Sequence, residues 1–246
     1  MIAFGGRVIP DGSSHLACTR MKASDFYALP TSLSRFAHYF RPDVPPWEWL
    51  KQIGPALAEV IDTPASLERA HGLHVEGRVW IHPTAKLPSF GTLIGPAWIG
   101  ANTEIRPGAF IRGNVIVAEN CVLGNACEFK NCLLMDDVSV PHFNYVGDSV
   151  LGNRAHLGAG VICSNLRLDQ QPVIVRTADA VFETGLRKFG AIVGDNAEVG
   201  CNAVLNPGTL LGPRALVSPA IAVGGLVPAS TIAHARVAVK FIPRRD

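Results

Sequence analysis

The chain is short of charge, of aromatic rings and of long apolar runs. Of its 246 residues, 17% are charged and 7% aromatic, whereas 48% are hydrophobic. So little charge beside so much apolar side chain excludes a disordered chain and predicts a substantial buried core, in one domain or two. The 22 basic and 20 acidic residues leave a formal net charge of +2 with no Lys/Arg run, so no nucleic-acid partner is expected. No stretch reaches the roughly 18 apolar residues of a membrane span, and no basic region followed by an apolar run opens the sequence. Neither secretion nor membrane insertion is expected. The six cysteines (Cys18, Cys121, Cys127, Cys132, Cys163, Cys201) lack the paired spacing of a metal site. No metal is expected, and they read as reduced core fillers in a cytoplasmic protein.

What the sequence has instead is a period of six. An aliphatic or large apolar residue recurs at Val75, Ile81, Leu87, Leu93, Ile99, Ile105, Ile111, Val117, Leu123, Phe129 and Met135. A second, usually smaller residue follows four places later: Val79, Ala85, Gly91, Ala97, Thr103, Ala109, Val115, Cys121, Cys127, Leu133 and Ser139. A helix repeats near 3.6 and a strand near 2, so a strict six is neither. It reads as a hexapeptide solenoid in which three short strands close one triangular coil and coils stack about 4.8 Å apart through parallel pairing. Residue i fills the prism and the i+4 residue fits near the corner. Pro107-Gly108, Gly113-Asn114, Glu119-Asn120 and Gly124-Asn125 fall between the apolar positions, where the backbone must bend.

Either side of this run the pattern changes. Residues 1–23 carry Gly5-Gly6-Arg7, which fits no nucleotide fingerprint and reads as a turn between short strands. From Ser24 to about Ile61 the spacing is helical, with Leu33, Phe36, Ala37 and Phe40 on one stripe and Trp47, Leu50, Leu57 and Ile61 on another. Pro45-Pro46 is expected to start the second helix and Gly54-Pro55 to kink or divide it. A solenoid end exposes apolar interior and unpaired edges, so this segment is expected to cap the prism, with Trp47 and Trp49 as anchors. After Ser139 the register slips: Val140 and Val146 keep six, Leu151 comes after five, then Leu157 and Cys163. Residues 166–190 abandon the pattern, and it resumes through Val193, Val199, Leu205, Leu211, Val217 and Val223. The fold class expected is mainly β, a parallel β-helix over residues 73–246 with a loop excursion at 166–190, preceded by a small helical cap in residues 1–72.

One stretch is richer in polar chemistry than a scaffold requires. Arg106 and Lys130 stand where a small residue is usual, Glu128 precedes Phe129, and His142-Phe143-Asn144-Tyr145-Val146-Gly147-Asp148 spans the slip, followed by His156, Gly158-Ala159-Gly160 and Asn165. Arg106 and His142 are 36 residues apart, two coils, and belong on one face; Lys130 belongs on a neighbouring one. A cleft between prisms would gather all three.

Arg106-Pro107-Gly108-Ala109, Glu128-Phe129-Lys130, His142 to Asp148, Gly158-Ala159-Gly160 and Asn165 resemble the acetyltransferase half of bacterial bifunctional N-acetylglucosamine-1-phosphate uridyltransferase/glucosamine-1-phosphate acetyltransferase. The likeness is closer to a shorter group of sugar-phosphate transferases that lack the uridyltransferase domain, whose pattern is similar to Val140 through Asn165 and to Glu183-Thr184-Gly185-Leu186-Arg187-Lys188-Phe189-Gly190. The resemblance implies a left-handed parallel β-helix, a homotrimer, acetyl-coenzyme A as donor and an amino-sugar phosphate as acceptor. It makes His142 the general base and Glu128 its orienting partner. Arg106, Lys130 and Lys188 would hold the phosphate, Tyr145 and Asn165 the sugar, and His156, Ala159 and Cys201 would lie along the donor. The chemistry is sound by itself: an amine attacks only when neutral, and a histidine with a reference pKa near 6.5 suits its deprotonation.

Two departures stand out. Asn165-Leu166-Arg167 replaces an Asn-Tyr-Asp run, and the loop that follows is far longer. The 72 residues before the repeats are too few for a nucleotidyltransferase domain and lack its Gly-rich, Arg-containing signature, which argues against uridyl transfer. Two alternatives remain beside the acetyltransferase: a non-catalytic sugar-nucleotide-binding or scaffold trimer, and a sugar-phosphate nucleotidyltransferase.

Overall fold

The computed structural model describes residues 21–60, 72–236 and 240–244. Cys18, Ile61 and the Gly5-Gly6-Arg7 reading lie outside the described residues.

The six-residue rule builds the expected parallel β-helix. Strands stack one coil apart in parallel register, as in Thr92↔Phe110 and Phe110↔Glu128 on a first face, Ala97↔Val115 on a second and Ile105↔Leu123 on a third. Leu93, Ile99, Ile105, Ile111, Leu123 and Phe129 fill the prism, and Ala97, Ala109, Val115, Cys121 and Cys127 pack beside them. Left-handed backbone at the corners explains part of the composition. Asn102, Asn114 and Asn120 have φ of 57°, 56° and 58°, a region that asparagine tolerates better than other side chains with a Cβ. Leu87 departs from the inward series and is 36% exposed, because the first coil has only the isolated Lys86↔Glu104 bridge there in place of a strand.

The register slips earlier than the sequence pattern places it. Glu128–Leu134 is one strand that rounds a corner at Asn131, where φ is 46°. Pairing is Phe110↔Glu128 before that corner but Val115↔Cys132 after it, one residue fewer. The inward residues are therefore Cys132 and Leu134, and the expected Leu133 and Met135 face outward into a second cluster. Leu133-Leu134-Met135 is uniformly apolar, so periodicity alone cannot choose its phase. The second slip falls where expected: Tyr145–Leu151 rounds its corner at Asp148, φ 48°.

Outside the prism a further apolar column runs up the second face. Trp80, Trp98, Ile116, Leu133, Val150, Ile192, Leu210 and Leu226 stack in register through successive coils. Eight such side chains could not remain in water, and the N-terminal segment covers them. This corrects the expected end cap. The segment lies along a side of the prism, with Phe36, Phe40, Trp49, Ile53 and Leu57 buried against the column. Its helix, Glu48–Val60, buries Trp49, Leu50, Ile53, Ala56 and Leu57 at helical spacing. Pro55 lies inside that helix and does not divide it; it is on the exposed side. The preceding stripe is a 3-10 helix, Thr31–Phe36, with Leu33 and Phe36 inward and Ala37 exposed. Trp47 and Trp49 are 3% and 1% exposed, anchors as expected.

The excursion folds into an antiparallel hairpin, Ile174–Arg176 with Val181–Glu183, and turns Val173, Val175 and Phe189 into the same outer cluster.

Phe36 tests the lateral packing. It is fully buried and meets Trp98 edge-on at 5.6 Å between ring centroids. Phe36→Ala should cost about 3–5 kcal/mol in a denaturant titration; a loss below about 1 kcal/mol would show that the segment does not hold the column.

Candidate functional site

Both shortened corners meet on the first face. Tyr145 lies opposite Glu128 and Gly147 opposite Lys130 in adjacent strands. At the second corner Asp148 is 4% exposed and gathers donors from the strands around it. Its carboxylate accepts from Lys130 Nζ at 3.1 and 3.3 Å, from Asn131 Nδ2 at 2.9 Å and from Asn165 Nδ2 at 2.5 Å. Asn165 Nδ2 also donates to Tyr145 Oη at 3.0 Å. Gly147 makes this possible: a Cβ there would lie 2.4 Å from Tyr145 Oη and 2.8 Å from Asn165 Nδ2. Burial raises the Tyr145 pKa, opposed by the Asn165 contact and reinforced by the Asp148 and Glu128 charges, so the phenol stays protonated at neutral pH.

His142 ends the third-face strand Ser139–His142. Phe143, at φ 56°, and Asn144 turn the chain into the strand that opens with Tyr145. The corner is pinned by Asn144, 3% exposed. Its Oδ1 accepts from the His142 N–H at 3.2 Å and its Nδ2 donates to the Gly158 carbonyl at 2.7 Å. Gly160 N–H donates to the His142 carbonyl at 3.0 Å. The backbone of His142 is thus fixed while its ring is exposed beside Phe143. The structure does not join it to Glu128. That carboxylate accepts from Arg112 Nε at 2.6 Å, because Arg112 lies one coil earlier on the same face.

Of the residues singled out in the sequence, the structure gathers Lys130, Tyr145 and Asn165 in one cluster. Lys188 sits at its rim: it bridges Leu166, and the next residue, Phe189, donates its N–H to the Asn165 carbonyl at 2.9 Å. Arg106 lies on the His142 face, two coils earlier, and its Nε donates to Glu104 at 2.9 Å. His156 pairs with Ser139, one coil beyond the His142 strand. With Gly158, Gly200, Cys201 and Ser218 it lines a groove of about 380 Å³. Ala159 is no wall of that groove; its carbonyl accepts from the Asn202 N–H at 2.8 Å. Asp148, Asn131, Asn144 and Arg112 carry the geometry without having been given a role from sequence.

The cysteines divide into two kinds. Cys121, Cys127, Cys132 and Cys163 are buried and unpaired, and burial pushes Cys121 and Cys163 up to about 12, so these are inert packing groups. Cys201 is exposed, which removes it from the core-filler reading. No cluster of metal-ligating side chains occurs among the described residues.

Comparison with known proteins places these motifs. Residues 93–187 match a family model described as the GMPPB C-terminal domain. The bifunctional protein GlmU of Methanococcus maripaludis strain C5 is 41% identical over 92 residues, 37% of this chain and 22% of that protein. A bifunctional sugar-1-phosphate nucleotidylyltransferase/acetyltransferase of Sulfurisphaera tokodaii is 34% identical over 120 residues, 49% of this chain and 30% of that one. The chain therefore spans under a third of the length of these bifunctional relatives. The uncharacterized acetyltransferase YaiX of Escherichia coli K12 matches more evenly, 31% identical over 179 residues, 64% of this chain and 74% of the relative. With its repeats, its corner motifs and a relative aligned over most of that relative's length, the chain belongs to the hexapeptide-repeat acetyltransferase family that includes YaiX and is related to the acetyltransferase part of GlmU.

Proposed function

We propose that the protein transfers the acetyl group of acetyl-coenzyme A to the amine of an amino-sugar phosphate, such as glucosamine-1-phosphate, in the synthesis of nucleotide-sugar precursors of the cell envelope. The observation that carries this reading is the juxtaposition at one corner. A fixed histidine with an exposed ring stands between a polar cluster on the first face and a groove on the third.

In this reading His142 takes the proton from the acceptor ammonium as the nitrogen lone pair attacks the thioester carbonyl and the thiolate departs. The Glu128 carboxylate, held by Arg112, contributes negative charge beside the base rather than a direct hydrogen bond to it. Tyr145 and Asn165 present a phenol and an amide to the sugar. Lys130 and Arg106 are already paired with Asp148 and Glu104, so phosphate capture falls chiefly to Lys188. The groove of His156 and Cys201 takes the donor.

The functional unit in this reading is a homotrimer. Arg106 and His142 lie on one face and Lys130 on the next, and one prism cannot turn two faces to a single acceptor. A second subunit supplies the missing wall. The buried thiols, with no disulfide among the described cysteines, suit a reducing, cytoplasmic setting. Among the described residues no helix is long and apolar enough to cross a membrane.

Release of coenzyme A, followed chromatographically over a panel of amino-sugar phosphates, tests the activity; turnover of a nucleoside triphosphate instead would sink it. His142→Ala should lower turnover by roughly 10²- to 10⁴-fold with acceptor binding nearly intact, and unchanged turnover would remove His142 from the mechanism. Lys188→Ala should raise the Michaelis constant of the phosphorylated acceptor by about 10- to 150-fold and barely affect the unphosphorylated sugar. Equal effects on both acceptors would show that Lys188 does not meet phosphate. Asp148→Asn should raise the acceptor constant by about 10- to 100-fold at constant donor affinity, since it loosens Asn165 and with it Tyr145, the two groups that meet the sugar. No change on that substitution would show that Asp148 does not hold the cluster.

A further inference from the structure

Aromatic side chains are scarce in this chain, yet seven of them lie in residues 21–60, and two more, Phe182 and Phe189, stand on the excursion. The two groups touch. Trp47 is 3% exposed, and its ring centroid lies 5.8 Å from that of Phe182 and 6.4 Å from that of Phe189. Trp47 stands just before the helix Glu48–Val60, Phe182 is in the second hairpin strand, and Phe189 is on the limb that returns to the coil.

Phe189 faces two ways. Its ring is fully buried in the outer apolar cluster, and its N–H donates to the Asn165 carbonyl at 2.9 Å. On either side of it, Lys188 bridges Leu166 and the Gly190 N–H donates to the Asp148 carbonyl at 2.8 Å. The limb is seated hard: a Cβ on Gly190 would lie 2.3 Å from the Gly147 carbonyl oxygen and from Ser149 Oγ. Close-packed groups transmit displacement rather than absorb it. The ring that Trp47 supports is therefore one residue from Lys188 and one hydrogen bond from Asn165.

We infer that the N-terminal segment, besides covering the apolar column, is a positioning element for the acceptor site, acting through Trp47 on Phe189 and thereby on Lys188 and Asn165. This rests on the reading above that those two residues meet the acceptor. Trp47 touches no substrate. It sets where the excursion's neck stands, so the excursion and the N-terminal segment together govern which acceptor fits.

The test uses the full chain and compares Trp47→Ala and Trp47→Phe with Leu57→Ala, which removes an equally buried side chain of the same segment away from the excursion. Trp47→Ala should raise the acceptor Michaelis constant by about 10-fold and leave that of acetyl-coenzyme A within about twofold. Trp47→Phe should restore most of the loss. Leu57→Ala should lower the melting temperature and leave both constants alone. Trypsin gives a readout independent of turnover, because Arg187 and Lys188 are exposed at the neck. Cleavage there should quicken by about 10-fold in Trp47→Ala and not in Leu57→Ala. If Trp47→Ala fails to fold, the milder Phe182→Leu carries the same expectations. Equal shifts in both Michaelis constants, or unchanged cleavage at the neck, would overturn the inference. Quickened cleavage in a chain that acetylates no amino-sugar phosphate would uphold the coupling and reject the acceptor reading alone.

Discussion

Each coil pairs with the next through parallel backbone hydrogen bonds, so any residue lost from one coil must be accommodated by its neighbours. This register constraint governs the molecule. Where coils are uniform, every sixth residue faces in and the chain is repetitive. Where a residue is dropped, at Asn131 and again at Asp148, the strand runs on around the corner. Both corners fall on the same edge of successive coils, and Asn131 donates to Asp148 across them at 2.9 Å. The polar cluster exists because the two omissions coincide.

The same constraint shapes the outside. Apolar residues one coil apart necessarily stack, and on the second face they form a column from Trp80 to Leu226. Leaving it in water would be costly. The helix Glu48–Val60, the 3-10 helix before it and part of the excursion bury it instead. At the site, electrostatics decide roles more than proximity does. Asp148, nearly buried, needs its ion pair with Lys130, since removing one member of such a pair leaves a charge uncompensated. Glu128 is likewise drawn to Arg112. Lys130, expected to meet phosphate, and Glu128, expected to orient His142, are thus each paired with another side chain of the protein.

Much of the fold was legible, because inward positions such as Ile99, Ile105 and Ile111 obey one rule. The rule failed at Leu133-Leu134-Met135, where three apolar residues in a row hide the phase. The lateral seat of the N-terminal segment was hidden for another reason: Trp80, Trp98 and Ile116 repeat every coil on the outward side, where the inward rule says nothing. The site was legible in part. Tyr145, Asn165 and Lys130 emerged from resemblance and do converge. Asp148 stood in the same motif without a role, although its partners Lys130 and Asn165 lie about one coil away on either side in sequence, a separation the repeat itself makes close. Glu128 meets Arg112, about one coil away, and Arg112 had been given no role.

The central claim is transfer of an acetyl group to the nitrogen of a phosphorylated amino sugar. Incubating the protein with glucosamine-1-phosphate and acetyl-coenzyme A labelled with ¹³C at the carbonyl, and following the label by NMR, tests it most directly. The account predicts an amide carbonyl coupled to the sugar's nitrogen-bearing carbon, with the phosphate retained. Label appearing as an oxygen ester, or remaining on coenzyme A across the amino-sugar phosphates, would contradict it.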